Sequence, residues 1–505
     1  MKLRISYYTG LLSALAVCAF SIYTPVRSEP IKSTVIAWRE GDIEDAFAEA
    51  QEKHRPVLLY WGAKWCPPCN LLKQTLFKDP GFIAETNEFI PVHLDGDAKD
   101  AQIWGERFRI QGYPTVIVLS PNRTEITRLS GGSMAASLTE TLKIAAKRTA
   151  SVDDLLSRAA DPAHLSPDDW YLLANFDWFD DAQRRGDFEK KVITLTYLAA
   201  SAPTTAMQRH FALTALIEAS GNQHPSKLTP TQQRQLRTIL PLILPDASEV
   251  RANRQELSDN VASLILALPD RAVRRSLASQ LTVALDRLAV DTAISPAERL
   301  SAIGAEIELS KADNSGKISP KLLDKLHQRI SSADKTITDP LMRQATMPEA
   351  GQLLKEAGEL GAAAKLWEAE LPRSVAPYYY MADLADLAES LKDNRAAVGW
   401  LAKAAGSAQG PATRLQWAVL YSRGVIRLAP DDKAAISRSA DTVVAALRAN
   451  TSGYAARSAR RLKDWGSMLE AWSIRHDGDA ILVRVSAELD DVCARGNCRN
   501  VIRRL

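Results

Sequence analysis

Two cysteines three positions apart, in Trp65-Cys66-Pro67-Pro68-Cys69, are the residues of this chain best suited to chemistry. Over a single turn of backbone, thiols at this spacing face one another and exchange disulfides. At the start of a helix that follows a strand, the first sulfur meets unpaired backbone N–H groups and the positive end of the helix dipole, and both favour its thiolate. Cys66 is therefore the candidate nucleophile. Cys69, one turn on, is the candidate resolving thiol that attacks a mixed disulfide at Cys66 and releases the partner. Pro67 and Pro68 suit a first helical turn, where the missing N–H would be unpaired anyway, and Lys64 adds positive charge that favours a thiolate. The competing reading is half of a zinc site, which needs further ligands nearby. The seven histidines, at 54, 93, 164, 210, 224, 327 and 476, contain no His-x3–5-His pair, and the other cysteine pair is hundreds of residues away. Spacing thus favours redox over metal. No metal site and no cofactor is predicted, since P-loop, dinucleotide and nucleophile-elbow patterns are missing from the sequence too.

The elements that must position the pair are legible around it. Val35 to Trp38 reads as a short strand and Asp42 to His54 as a helix with Asp42 as N-cap and Ile43, Ala46, Phe47 and Ala50 on one face. The continuous apolar run Pro56 to Trp61 reads as a strand buried on both faces, delivering the cysteines to a helix that carries Leu71, Leu72, Leu76 and Phe77 and stops before Asp79-Pro80-Gly81. Then follow a strand over 89–94, a helix over 98–108, strands over 115–119 and 126–129, and a closing helix over 133–148. The order is β-α-β-α-β-α-β-β-α.

That order, with Trp65-Cys66-x-x-Cys69 and Gly112-Tyr113-Pro114-Thr115, resembles the thioredoxin superfamily. The form Trp38, Ala46, Ala50, Pro56 to Leu59, then Phe77-x-Asp79-Pro80 is similar to the C-terminal domains of DsbD-type transmembrane reductases and related periplasmic thioredoxin-like proteins; the Pro-Pro insert is similar to tryparedoxins. The resemblance covers residues 33–148. It implies that Pro114 is cis and lies opposite the cysteine loop, that the backbone beside it, at Tyr113, holds an extended substrate, and that Trp65 flanks the sulfur as an apolar docking surface. One departure stands out: where many thioredoxins carry a buried Asp six residues before the first cysteine, this chain has Tyr60, a poor base near neutral pH. Water or Lys64 is then the route by which Cys69 loses its proton.

With 505 residues, 46% hydrophobic and 24% charged, the chain has material for about three domains. A formal charge of +3 gives no electrostatic reason for nucleic acid or an anionic membrane as partner. Residues 1–28 read as a secretory signal, with Lys2 and Arg4 ahead of an apolar run that is shorter than the roughly 18–20 residues of a membrane span; a retained anchor is the alternative. Removing the signal deletes Cys18 and leaves two close pairs, Cys66/Cys69 and Cys493/Cys498, an even count that fits an oxidising compartment, here the periplasm.

Residues 29–150 form the α/β domain. Residues 151–475 lose the strand runs and gain apolar residues at helical spacing, such as Leu277, Leu281, Leu285 and Leu288. Ser166-Pro167, Thr229-Pro230 and Ser295-Pro296 are start signals, each with Asp, Gln or Glu at the third helical position. Gly361 to Trp367 and Asn394 to Trp400 superpose at an offset of 33, near the tetratricopeptide period. An all-α helical-repeat solenoid with a protein-binding groove is expected, a helical spacer bundle being the alternative. The tryptophans at 170, 178, 367, 400, 417, 465 and 472 read as helix-packing core. Residues 476–505 fit strand or helix equally and end in Cys493 to Cys498, a structural disulfide or a relay for the first pair. The whole reads as a thiol-disulfide oxidoreductase acting on protein disulfides, with a membrane thiol reductase as electron donor and a partner on the helical half. The alternative is an α-solenoid adaptor with a vestigial redox module. The direction of exchange is not legible.

Overall fold

The computed structural model describes residues 34–494 apart from 41–42, 99–100, 132–134, 149, 177, 179–187, 222–227 and 451–455. The signal reading of 1–28, Asp42 as a cap and Cys498 therefore lie outside the described residues. Among those described, no helix is long and apolar enough to cross a membrane.

Five strands form one sheet: β1 (Arg39–Glu40), β2 (Val57–Gly62), β3 (Ile90–Asp95), β4 (Thr115–Leu119) and β5 (Glu125–Ser130), in the order β1-β3-β2-β4-β5. β3 runs parallel to β1 and β2, while β4 is antiparallel to both its neighbours. Every residue of β2 is buried because both faces are covered. Leu58 and Tyr60 pack with Val116, Phe82 and Leu138 on one side. Val57, Leu59 and Trp61 pack with Phe47, Val92 and Ile117 on the other. The period-2 alternation thus serves two cores at once.

Helices α1 (Ile43–Lys53), α2 (Pro67–Gln74), α3 (Pro80–Thr86), α4 (Ala101–Arg107) and α5 (Ala135–Ala145) flank the sheet. Two expectations are corrected. The first strand is Arg39–Glu40 rather than Val35 to Trp38, because the Trp38 N–H donates to Ile36 O at 2.9 Å in a tight turn and is lost to a ladder. The helix after the cysteines ends at Gln74 and gives way to a single 3₁₀ turn, and Asp79-Pro80 starts a further helix. Asp79 accepts the Phe82 N–H at 2.8 Å and Pro80 takes the first helical position, the chemistry of a helix start.

From Val152 onward the described residues hold twenty α-helices and no strand. Ser166, Thr229 and Ser295 each form a complete capping box, with Asp169, Gln232 and Glu298 returning the bond. Consecutive helices pack on one another, as in Tyr378–Ser390 on Asn394–Ser407 on Pro411–Leu428 on Lys433–Arg448. Of the seven tryptophans, Trp400 alone is only half-buried. The tail is the helix Asp479–Ala494: Val485, Leu489 and Val492 are buried while Val483 faces solvent, so the 3.6-residue period prevails over alternation.

Gly351, in the helix Pro340–Glu356, is pressed against the fully buried Trp367 indole, which a methyl group there would overlap. Gly351→Ala gains about 1 kcal/mol of helix propensity against about 1–3 kcal/mol for overpacking a ring that has nowhere to turn. A net loss is expected, read as a lower denaturant midpoint.

The helical half packs on the sheet-bearing half at several places. The helix Pro340–Glu356 lies on α2, the helix Ala456–His476 lies on α4, and the Tyr171 hydroxyl donates to Ser137 O at 3.2 Å.

Candidate active site

Cys66 is the N-cap of α2, in extended conformation, with Pro67 opening the helix. Its sulfur accepts the Cys69 N–H at 3.2 Å and is joined to Cys69 in a disulfide, the two Cα atoms 5.2 Å apart. Facing them, the Tyr113–Pro114 peptide is cis, as the resemblance implied. The Tyr113 ring is wedged between Trp61, stacked at 5.9 Å, and Trp65, edge-on at 5.1 Å. A family model described as thioredoxin-like matches residues 37–121. Residues 37–121 form a thioredoxin-like domain. Over 112 residues the chain is 30% identical to thiol:disulfide interchange protein DsbD 1 of Pseudomonas aeruginosa, a distant similarity covering 21% of this chain and 19% of that protein. The match thus spans about a fifth of either chain.

The thioredoxin-like domain does not present its disulfide openly. Cys66 is 2% exposed and Cys69 0%. Trp65 is half-buried beneath Tyr379 of the helical half, the rings stacked at 5.9 Å. Its indole N–H donates to Asp97 Oδ2 at 2.7 Å, and the same carboxylate receives the Thr413 amide at 2.8 Å and the Thr413 hydroxyl at 2.6 Å. Gly410, at φ +87°, lets this backbone pass so close that any side chain there would strike Asp97. Burial pushes the Asp97 carboxyl up, opposed by the Thr413 and Trp65 bonds. Trp65 is therefore engaged within the chain, and the cysteine loop is latched beneath the helical half.

Behind the disulfide, Tyr60 is buried against Trp38, Phe77 and His93. Burial, aided by Asp95, holds its phenol above the ordinary value, so it stays a neutral hydroxyl. Lys64 is exposed. Lys73, one helical turn beyond Cys69, is half-buried, with its amine 3.4 Å from Ala63 O; burial pushes its ammonium down and the charge of Asp95 works against that. Cys493 falls in the last turn of the tail helix.

Beside the cysteine loop lies a cleft of about 1090 Å³. Pro68, Tyr113 and Pro114 form one wall, and His210, Asp259 and Glu349 of the helical half line the other. Asp259 is reached by solvent through the cleft yet walled by protein; burial and Glu256 push its carboxyl up to about 6. Burial, then Glu356 and Asp259, push Glu349 up to about 7. A carboxyl whose folded value exceeds its unfolded one contributes stability at low pH and loses it as pH rises through the folded value. Glu349→Gln should therefore leave stability nearly unchanged at pH 4 and raise it at pH 8, by on the order of 2 kcal/mol after allowing for solvent in the cleft. Denaturant midpoints at the two pH values check this.

Sequence reasoning missed Asp97, Tyr379, Thr413 and the cleft acids. Lys73 carried a usable signal, four residues after Cys69 on one helix face. The others are brought in by distant packing and had none.

Proposed function

We propose that this chain is a periplasmic thiol-disulfide oxidoreductase acting on protein substrates, with Cys66 as nucleophile and Cys69 as resolving thiol. The observation that carries the reading is the Cys66–Cys69 disulfide at the first turn of α2 opposite a cis Tyr113–Pro114 peptide. In the reductive direction the Cys66 thiolate attacks a substrate disulfide, forming a mixed disulfide and expelling one substrate thiolate, which takes up a proton. Cys69 then loses its proton and attacks Cys66 Sγ. The second substrate thiolate leaves, and the intramolecular disulfide returns. The substrate gains two electrons and two protons; a membrane thiol reductase restores the dithiol. Run backwards, the same steps oxidise. With Tyr60 held as a neutral hydroxyl, water or Lys64 is the route by which Cys69 loses its proton. The helical half is a tetratricopeptide-like stack that recruits partners, a reading supported by the matching Trp367 and Trp400 units and by the sequential helix packing. The Cys493/Cys498 pair acts as a staple for the tail.

The burial of Cys66 favours a second reading, an adaptor whose redox module is vestigial. Cys69→Ser separates the two. An oxidoreductase lacking its resolving thiol accumulates mixed disulfides at Cys66 in cells, visible after alkylation as adducts cleaved by reductant; an adaptor yields none.

A further inference from the structure

The latch at Trp65, Asp97 and Thr413 covers the disulfide on one side; on the side of the cis peptide the cleft is lined by Pro68, Tyr113 and Pro114, next to the cysteines though not by the cysteines themselves. Its volume, about 1090 Å³, lies just above the roughly 300–1,000 Å³ of small-molecule sites, room enough for an extended peptide segment. The cleft's two walls come from different halves of the chain, so whatever enters is read by both.

The charges on the helical wall are unevenly matched. Arg254 is bound to Glu298 at 2.6 Å and Arg251 to Asp291 at 2.6 Å, while Glu249 holds Arg209 at 2.8 Å. His210 spends both ring nitrogens on oxygens, those of Asn253 and Ala174. Glu256, Asp259 and Glu349 line the same cleft with no cation bound to any of them among the described residues. Asp259 is open to solvent on the cleft side and Glu256 and Glu349 are half-buried; this surplus of negative charge is placed where a ligand can supply the cation.

We propose that the cleft is a substrate channel of the dithiol and that it takes an extended, cysteine-bearing polypeptide segment with a Lys or Arg close to the cysteine. The cysteine is presented at the cis-peptide wall while the basic side chain reaches the Asp259 and Glu349 wall. The helical half then selects substrates by charge as well as covering the site. This rests on the redox reading above, and the test separates the two.

Protein covering residues 29–505, its Cys66–Cys69 disulfide first reduced with a dithiol that is then removed, is given matched eight-residue peptides with one cysteine blocked as a small mixed disulfide and one neighbouring position Lys, norleucine or Glu. Affinity and the rate of adduct formation at Cys66 are measured, alongside exchange with a small neutral disulfide. The Lys peptide is expected to bind about tenfold tighter than norleucine and more so over Glu. Glu349→Gln with Asp259→Asn should erase that preference, as should either single variant in part, while exchange with the neutral disulfide is retained. Equal binding of the three peptides, or a preference that survives both substitutions, overturns the channel and leaves the redox reading standing. Failure of Cys66 to exchange even with the small disulfide overturns both.

Discussion

Thr413→Val will let a bulky maleimide reach reduced Cys66 roughly 10- to 100-fold faster than in the unaltered chain. The hydroxyl gives a 2.6 Å bond to a half-buried carboxylate, and bonds to charged groups contribute about 1.5–3 kcal/mol each. Valine keeps the shape and removes the donor, so the closed arrangement loses that amount while an opened one, with Asp97 in water, loses nothing. The Trp65–Tyr379 stack, at about 0.5–1.5 kcal/mol, is too weak to compensate. Iodoacetamide, which is small, should show a lesser acceleration. Identical maleimide rates in the two proteins would mean that the cover need not move for Cys66 to be reached. The same substitution should leave the charge preference of cleft peptides intact, since Asp259 and Glu349 are not part of the latch.

The second large effect is at Cys66 itself. Cys66→Ser should lower disulfide exchange by three orders of magnitude or more, to background, because a serine hydroxyl is not ionised near neutral pH and forms no mixed disulfide. Cys69→Ser retains the first step and stalls at the second. The contrast between them is diagnostic: a stalled adduct in one and none in the other requires a nucleophile and a resolver with separate tasks. If the unaltered chain exchanges no faster than Cys66→Ser, the adaptor reading holds.

What was legible in the sequence follows range. β2, α2 and the three capping boxes are written in neighbouring residues: a continuous apolar run, a cysteine followed by proline, a Ser or Thr three positions before Asp, Gln or Glu. Asp79-Pro80 shows how the same signals mislead, since an acidic cap before proline starts a helix as readily as it ends one. The tail was undecided for a different reason, because Val483, Val485, Ala487 and Leu489 alternate by coincidence on a helix whose buried face is Val485, Leu489 and Val492. The occlusion of Cys66 was out of reach altogether. Asp97 in an Asp-Gly-Asp turn and Thr413 near a helix start are ordinary residues until tertiary packing brings them together, and no local pattern pairs them.

The Asp97–Thr413 contact joins residues 316 apart. During synthesis the thioredoxin-like domain is complete long before its cover exists, and at about 5–20 residues per second the interval is about 15 to 60 s. For that time each newly made molecule carries a bare dithiol, open to small disulfides, to oxidants and to the disulfides of sister chains. Quality control of this protein therefore has its most exposed moment before the last third of the polypeptide is made, and nascent chains stalled there are the species to look for in adduct form.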